Sequence, residues 1–242
     1  MKIKFMTLFP SMYDGFISES IIKRAILKGI IEIEVIDFRK YSKDKHHKVD
    51  DTPYGGGAGM VINPVVIYDC LNDIKTDKSH VILMTPQGNT YNQNKAVNLA
   101  KNYEELILIC GHYEGFDERI RMLVDEEISI GDYVLTGGEL PSMVVADSVI
   151  RLIDGAIKED SYLSDSHQSG LLEYPQYTRP KEFLGVTVPE VLQNGNHKEI
   201  AKWRLKESLR KTMERRPDLL SGREASNEEK MLLKEILDEN KK

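Results

Sequence analysis

The chain has 242 residues, of which 40% are hydrophobic and 30% charged, and its formal net charge is −6. This balance is typical of a globular protein of one or two domains, and it excludes disordered, collagen-like and disulfide-stapled chains. The longest unbroken apolar run, 106–110, is far shorter than the about 20 residues that a membrane helix needs. The N-terminus lacks the apolar region and the cleavage site of a secretory signal.

The cysteines indicate the redox compartment of the protein, and the charge distribution indicates where a polyanion would bind. Cys70 and Cys110 are 40 positions apart and form no CxxC pair, so reduced thiols in a cytoplasmic protein are the simplest interpretation. Charge is unevenly distributed, because residues 166–242 sum to +2 and residues 1–165 to −8. The net charge does not indicate a nucleic-acid binder, and any polyanionic partner is to be sought at the C-terminal part of the chain.

Residues 1–153 alternate between strand and helix patterns, which predicts an α/β domain with a mostly parallel sheet. Strands are predicted at 3–8, 31–36, 81–84 and 106–110, and helices over 13–28 and from about 141 onward. The runs 81–84 and 106–110 are apolar without alternation, as in parallel strands that are covered on both faces. Gly29 stands where a helix commonly ends.

Residues 154–169 interrupt this pattern. Serine, aspartate and glycine are frequent here and little periodicity is present, so we predict a flexible linker. Residues 170–242 follow as a second, small domain with helices near 198–215 and 227–239.

Familiar catalytic and nucleotide-binding motifs are absent from the sequence. No Walker loop occurs, and the first predicted strand runs into Phe9 and Pro10 rather than into a glycine turn. The histidines and cysteines show no zinc-type spacing, and there is no G-x-S-x-G elbow. The sequence therefore predicts no metal-ligating residue.

Three glycine-bearing loops remain as candidate ligand sites, namely 54–59, 111–115 and 129–141. The first is either a mobile surface loop or a segment where the backbone closely approaches a ligand. The second follows an apolar strand, where α/β sheets bind ligands, and is otherwise an ordinary turn that carries His112 and Glu114. The third either wraps a flat apolar ring or reverses the chain before a helix.

The predicted helix near 198–215 carries a basic ridge at spacings of four residues. The ridge consists of Lys198, Lys202, Lys206 and Arg210, and residues 198–223 together sum to +5. Such a ridge suits a phosphate backbone. The alternative is a solvated face whose charges pair along or between helices.

Several segments together resemble one family closely. They are 49–60, 110–119, 129–141, 170–180, 202–206 and 215–220, in the family's order over nearly the whole chain. The family is that of the bacterial tRNA (guanine-N1)-methyltransferases, SPOUT-type enzymes that modify guanine 37 beside the anticodon. The resemblance implies that residues 1–153 form a deep trefoil knot, which no general folding rule would predict.

The resemblance also implies the ligands and the assembly. S-adenosylmethionine is bound in the knot in a bent shape, and tRNA with G37, preferably next to G36, accepts the methyl group. The enzyme is a homodimer in which the linker and the helical domain of one subunit close over the cofactor of the other. Mg²⁺ is required, although the sequence offers no ligand cluster for it.

Site residues follow from the resemblance by position. Asp165 and Ser166 match the family's Asp-Ser pair, with Asp165 as the general base, and Arg151 matches an arginine near the methyl acceptor. Ser166 and the basic ridge are the residues expected to bind RNA. The cofactor-binding positions are Met84, Thr85, Pro86, Gly111, Tyr113, Glu114, Ser129, Ile130, Gly131, Asp132, Tyr133, Val134, Leu135, Gly137, Gly138 and Pro141. A second Asp-Ser pair, at Asp160 and Ser161, lies five residues too early to match.

The chemistry of the reaction explains these residue types. Guanine N1 carries a proton at neutral pH and must lose it as it attacks the methyl group, which suits the Asp165 carboxylate as general base. Negative charge then develops on guanine O6, where the Arg151 guanidinium can stabilise it. Two alternatives stay open at this point: a SPOUT enzyme that methylates another RNA position, and a non-catalytic RNA-binding module that retains the fold.

Overall fold

The computed structural model describes residues 1–157, 165–168 and 170–239. The chain divides into two compact units, Met1–Glu159 and Asp160–Lys242. Of the predicted linker 154–169, residues 158–164 and residue 169 lie outside the described residues. Within the described part of the chain, every helix is too short or too polar to cross a bilayer.

The first unit is built on a parallel sheet of five strands in the order β2-β1-β6-β5-β7. Its strands are β1 (Lys2–Thr7), β2 (Glu32–Asp37), β5 (Ser79–Thr90), β6 (Glu105–Cys110) and β7 (Glu126–Ser129), while β3 (Asp50–Asp51) and β4 (Val61–Ile62) form a separate antiparallel pair. The predicted α/β class with a mostly parallel sheet is thereby confirmed.

Helices cover both faces of this sheet. They are α1 (Asp14–Ser18), α2 (Ser20–Leu27), α3 (Pro64–Ile74), α4 (Gln93–Asn102) and α5 (Glu139–Ile150). The central strand β6 is fully buried, with Leu106 and Leu108 in the core beneath α2, α4 and α5, and Ile107 and Ile109 in the core beneath α3. Alternate side chains of a strand point to opposite faces, so one apolar run supplies both cores.

The helix predicted over 13–28 is divided in two, which corrects the sequence-based expectation. Glu19 has extended backbone angles, φ −127° and ψ 162°, and separates α1 from α2. Phe16 of α1 packs edge-on against Phe5 of β1, with ring centroids 6.1 Å apart. At the predicted end of α2, Gly29 has φ +69°, and the Ile30 N–H donates to the Ala25 carbonyl as in a Schellman cap.

Strand β5 is longer than the predicted run 81–84, because its second half pairs again with β7. The register shifts between Met84 and Asn89, and both residues lie opposite Ile128. Between them, a Cβ placed on Gly88 would lie 2.5 Å from the backbone of Glu127 and Ile128. Only glycine allows the two chain segments to approach this closely.

The second unit is mainly helical. Its helices are α6 (His197–Arg215), α7 (Asp218–Ser221) and α8 (Asn227–Glu239), and its one hairpin among the described residues joins β8 (Glu182–Phe183) to β9 (Val186–Thr187). Its small core consists of Leu171, Leu209, Leu232 and Ile236. The long helices lie where the apolar periodicity places them.

Candidate active site

A cavity of about 370 Å³ lies at the carboxyl ends of β6 and β7, beside residues 84–87 in the middle of β5. Because β6 and β7 are both parallel to β5, their ends lie at the same edge of the sheet, where open α/β sheets bind ligands. The volume falls within the range of small-molecule sites.

The loops that the sequence singles out as a cofactor cradle converge on this cavity. The predicted residues that line it are Met84, Thr85, Pro86, Gly111, Tyr113, Glu114, Ser129, Ile130, Gly131, Tyr133, Val134, Leu135, Gly137, Gly138 and Pro141. Asp132 is exposed and does not line the cavity. Loop 54–59 lies beside it, since the Glu114 N–H donates to the Met60 carbonyl at 3.0 Å.

Further lining residues lie outside the set predicted to bind the cofactor. They are Gln87, His112, Gly115, Phe116, Glu118, Arg121, Ile128 and Thr136. Most of them lie inside or next to the segments 110–119 and 129–141, so those segments were the available signal. Gln87 directly follows the predicted Pro86, whereas Arg121, in the short 3₁₀ helix Glu118–Leu123, carried no such signal.

Glycine backbones form the floor of the cavity where α5 begins. The Gly138 N–H donates to the Gly111 carbonyl at 2.9 Å. A Cβ on Gly138 would lie 2.7 Å from the Cys110 Cα, and one on Gly111 would overlap the Phe116 ring. Side chains at these two positions would displace the loops from each other or from the cavity.

The loop after β7 supplies an apolar wall and exposed backbone groups. Ser129 Oγ donates to the Gly131 carbonyl at 3.0 Å, and Gly131 has φ +149°. The loop thus holds Tyr133, Val134 and Leu135 at the cavity. These side chains stay substantially exposed to solvent, Val134 to 82% and Leu135 to 38%. A flat apolar ring such as adenine can pack against these side chains while its edge meets backbone N–H and C=O groups.

The charges around the cavity suit a ligand that carries positive charge. Arg121 is already engaged, because its Nε donates to Glu118 at 2.8 Å and its Nη atoms contact Glu127 and Gln87. Because Arg121 is neutralised by its own partners, the Glu114 carboxylate gives the cavity lining a net negative charge. S-adenosylmethionine fits both the apolar wall and this charge, because it carries adenine and because its sulfonium and ammonium groups outweigh its one carboxylate.

Among the described residues, no group of three or more His, Cys, Asp or Glu side chains could hold a metal ion. The one thiol next to the cavity is Cys110, and burial raises its pKa to about 12. It stays protonated at neutral pH and is a poor nucleophile. Burial likewise raises the pKa of Tyr13, whose hydroxyl contacts the Cys110 sulfur at 3.2 Å.

The structure separates Arg151 from this cavity. Arg151 is the C-terminal capping residue of α5, and its N–H donates to the Asp147 carbonyl at 3.1 Å. The cavity lies at the other end of this helix, at Gly138 and Pro141. At 1.5 Å per residue, the helix places Arg151 roughly 20 Å from Gly138.

Asp165 and Ser166 belong to the second unit. They lie in a turn in which the His167 N–H donates to the Leu171 carbonyl at 2.8 Å. Ser166 Oγ accepts the Glu173 N–H at 3.0 Å, and Asp165 is half-buried. Residues 165–168 of the predicted linker therefore form a hydrogen-bonded turn.

The basic ridge of α6 is divided between two environments. Lys206 pairs with Glu235 and Glu239 of α8 at 2.8 Å each, and Arg210 donates to Glu239 at 2.7 Å. Lys202 is half-exposed, and its Nζ lies 3.8 Å from Glu235. Lys198 is exposed in the first turn of α6. Helix pairing thus accounts for the inner part of the ridge.

A parallel sheet with a ligand-sized cavity at its strand ends defines a ligand-binding α/β protein of the open-sheet type. Comparison with known proteins then identifies the family. Residues 1–222 match the family described as tRNA (Guanine-1)-methyltransferase TrmD.

Full-length relatives agree with this match. A protein of Shouchella clausii named tRNA (guanine-N(1)-)-methyltransferase is 53% identical over 242 residues, which cover 98% of this chain and 99% of that protein. Proteins of the same name are 54% identical over 100% of both chains in Halalkalibacterium halodurans, and 51% identical over 98% and 97% in Acholeplasma laidlawii. The chain belongs to the tRNA (guanine-N1)-methyltransferase family.

Proposed function

We propose that this protein transfers a methyl group from S-adenosylmethionine to N1 of guanine 37 in tRNA. Membership of the family supports the methyltransferase activity on tRNA guanine N1. The cavity at the ends of β6 and β7 is the single observation that carries the donor site, because it combines an apolar wall, exposed backbone groups and a net negative lining. When bound, S-adenosylmethionine supplies an electrophilic methyl group on a sulfonium, so the protein needs no nucleophile of its own.

The chain's own residues then act on the acceptor base. Asp165 accepts the N1 proton as guanine attacks, and Arg151 stabilises the negative charge that develops on O6. The half-buried position of Asp165 in a hydrogen-bonded turn supports this role, because a fixed carboxylate is a better-placed base than a mobile one.

The exposed face of α5 supports a homodimer with shared sites. The helix is apolar on its outer side, where Leu140 is 52% and Val144 47% exposed. Two copies of α5 that pack antiparallel about a twofold axis would bury these side chains. The same packing would bring Arg151 of one subunit to the Gly138 end of the other subunit's helix. Arg151 would then lie near the cavity of the partner subunit, although it lies far from the cavity of its own chain.

The trefoil knot stays part of the proposal. It is supported by the long path of β5, which pairs with β7 twice, and by the tight approach of Gly88 to the β7 backbone. The cavity is built from the same segments. We expect the knot to hold the cofactor loops in place without a covalent cross-link.

In this proposal, residues 170–242 form the domain that binds tRNA, and residues 154–169 form the linker that precedes it. Lys198 and Lys202 contact phosphates, while Lys206 and Arg210 orient α6 by pairing with α8. Ser166 holds the turn next to Asp165. A G36-G37 sequence is the preferred substrate, and the cytoplasm is the expected location.

We also propose a magnesium requirement, which the resemblance implies. The described residues offer no fitting ligand group in this chain. No protein ligand is therefore assigned to the ion.

Methyl transfer from labelled S-adenosylmethionine to unmodified tRNA with G36-G37 tests the proposal. We expect label only at N1 of G37, identified by mass spectrometry of the nucleosides. Label at another position would indicate a relative with a different target. Absence of both label and cofactor binding, with Mg²⁺ present, would indicate a non-catalytic RNA-binding module.

A further inference from the structure

A buried carboxylate lies behind the cavity, and the reaction proposed above does not use it. Glu139, the first residue of α5, is only 1% exposed. Its Oε1 accepts a hydrogen bond from the Thr7 hydroxyl at 2.7 Å, and its Oε2 lies 2.7 Å from His112 Nε2. Thr7 Oγ1 in turn accepts the Phe9 N–H, so its single proton is directed to Glu139.

The partner of this carboxylate reaches the cavity. His112 lines the cavity and Glu139 does not. The 2.7 Å contact between His112 Nε2 and Glu139 Oε2 is a hydrogen bond that ties the ring to the carboxyl group. The His112 ring also packs edge-on against Phe9, with centroids 4.6 Å apart, so the ring is held on two sides.

The pair lies directly beneath the cofactor loop. A Cβ on Gly137 would overlap both the His112 ring and the Glu139 carboxylate. The next residue, Gly138, is tied to Gly111 by its N–H. The ends of β1 and β6 and the start of α5 therefore meet at one hydrogen-bonded carboxylate.

We infer that Glu139 is a positioning residue for the methyl donor: it fixes His112 against the loop 129–138 and thereby sets the affinity for the nucleoside end of S-adenosylmethionine. A buried carboxylate is costly unless it is paired, so the arrangement is stable only with a donor at position 112. The inference rests on the proposed function in taking S-adenosylmethionine as the ligand.

A double-mutant cycle measured by calorimetry, with S-adenosylmethionine and no tRNA, tests this role. Glu139→Gln and His112→Ala should each raise the Kd about tenfold, as expected for loss of a charged hydrogen bond. The double variant should bind no more weakly than His112→Ala alone, because Glu139 acts through His112. His112→Gln should restore most of the affinity, since its amide N–H can replace Nε2.

Tyr91→Phe is the matched control. It removes a 2.6 Å hydrogen bond to Ser148 of the same helix, and neither residue lines the cavity. It should lower the unfolding temperature and leave the Kd unchanged. In the ligand-free protein, Glu139→Gln should also speed amide hydrogen exchange at residues 137–138.

Wild-type affinity in Glu139→Gln, or an equal further loss in the His112→Ala background, would overturn the inference while leaving the proposed function intact. Failure of the unaltered protein to bind S-adenosylmethionine would overturn both. If Glu139→Gln does not fold, the contrast between His112→Ala and His112→Gln still decides, because His112 lies at the cavity rim.

Discussion

The donor cavity and the residues assigned to the guanine are assembled in different ways. Every described residue that lines the cavity lies in the first unit, where β6 and β7 end on either side of the middle of β5. Arg151 lies at the opposite end of α5, and Asp165 belongs to the second unit. The proposed donor site therefore lies in one folded unit, whereas the proposed acceptor site needs further association.

The largest expected effect separates acceptor chemistry from donor binding. Asp165→Ala should lower the rate of methyl transfer about 10²- to 10⁴-fold, because the general base is lost. The Kd for S-adenosylmethionine should stay unchanged, since the cavity lies in the first unit. Single-turnover transfer and calorimetry check the two parts. Asp160→Ala is the matched control and should retain the wild-type rate; equal losses in both variants would contradict the assignment.

The converse variant should impair the donor site. An alanine at Gly138 places its Cβ 2.7 Å from the Cys110 Cα and 2.8 Å from the Gly111 nitrogen, so backbone must move. Overpacking of this kind costs about 1–3 kcal/mol, which corresponds to roughly a 5- to 150-fold weaker Kd for S-adenosylmethionine. Gly15→Ala is the control, because a Cβ there meets nothing within 4 Å. A wild-type Kd in Gly138→Ala would refute the assigned cradle.

The sheet was predictable from the sequence because its signals are local, whereas the residues of the cavity were predicted through the family resemblance. Apolar runs such as 106–110 give the strands, and short segments hold most of the cavity lining. Features that depend on distant partners were not predictable. The second half of β5 is polar and becomes a strand only through its pairing with β7. Glu139 looks like an ordinary helix start, and its burial comes from Thr7 and His112.

The basic ridge illustrates the same limit within the second unit. Its spacing on α6 is visible in the sequence, but the partners of Lys206 and Arg210 are Glu235 and Glu239, on a helix that follows later in the chain. A helical periodicity cannot reveal which of its charges another helix neutralises. The structure therefore divides a uniform sequence pattern into a paired part and an exposed part.

A smaller effect should distinguish these two parts of the ridge. Lys198→Ala with Lys202→Ala should weaken tRNA binding several-fold. It should also lower the slope of log Kd against log salt by about 1.4, because two phosphate contacts are lost at about 0.7 each. Lys206→Ala with Arg210→Ala should mainly lower the thermal stability of the α6–α8 pairing. Salt-dependent binding titrations measure the slopes, and equal slopes in the two variants would contradict the division.

The smallest effect concerns acid stability of the second unit. Hydrogen bonds from Lys206 and Arg210 lower the pKa of Glu239 to about 2. A carboxyl group with a lowered pKa stabilises the fold above its unfolded pKa of about 4.3, and that contribution is lost as the pH falls toward 2. Glu239→Gln should therefore be less stable than wild type near pH 6 and should approach it near pH 2. Amide exchange in α8 measures this, with Glu228→Gln as control; a constant difference would contradict it.

Complementation between subunits tests the central claim most directly. Arg151→Ala and Gly138→Ala chains are each expected to be poorly active alone. In mixed dimers, the intact cavity of the Arg151→Ala chain meets the intact Arg151 of its partner, so one working site per mixed dimer should appear. Methyl transfer after the chains are unfolded and refolded together should thus rise well above that of either variant alone. Activity no greater than the average of the two separate variants, with mixed dimers present, would contradict a site shared between subunits.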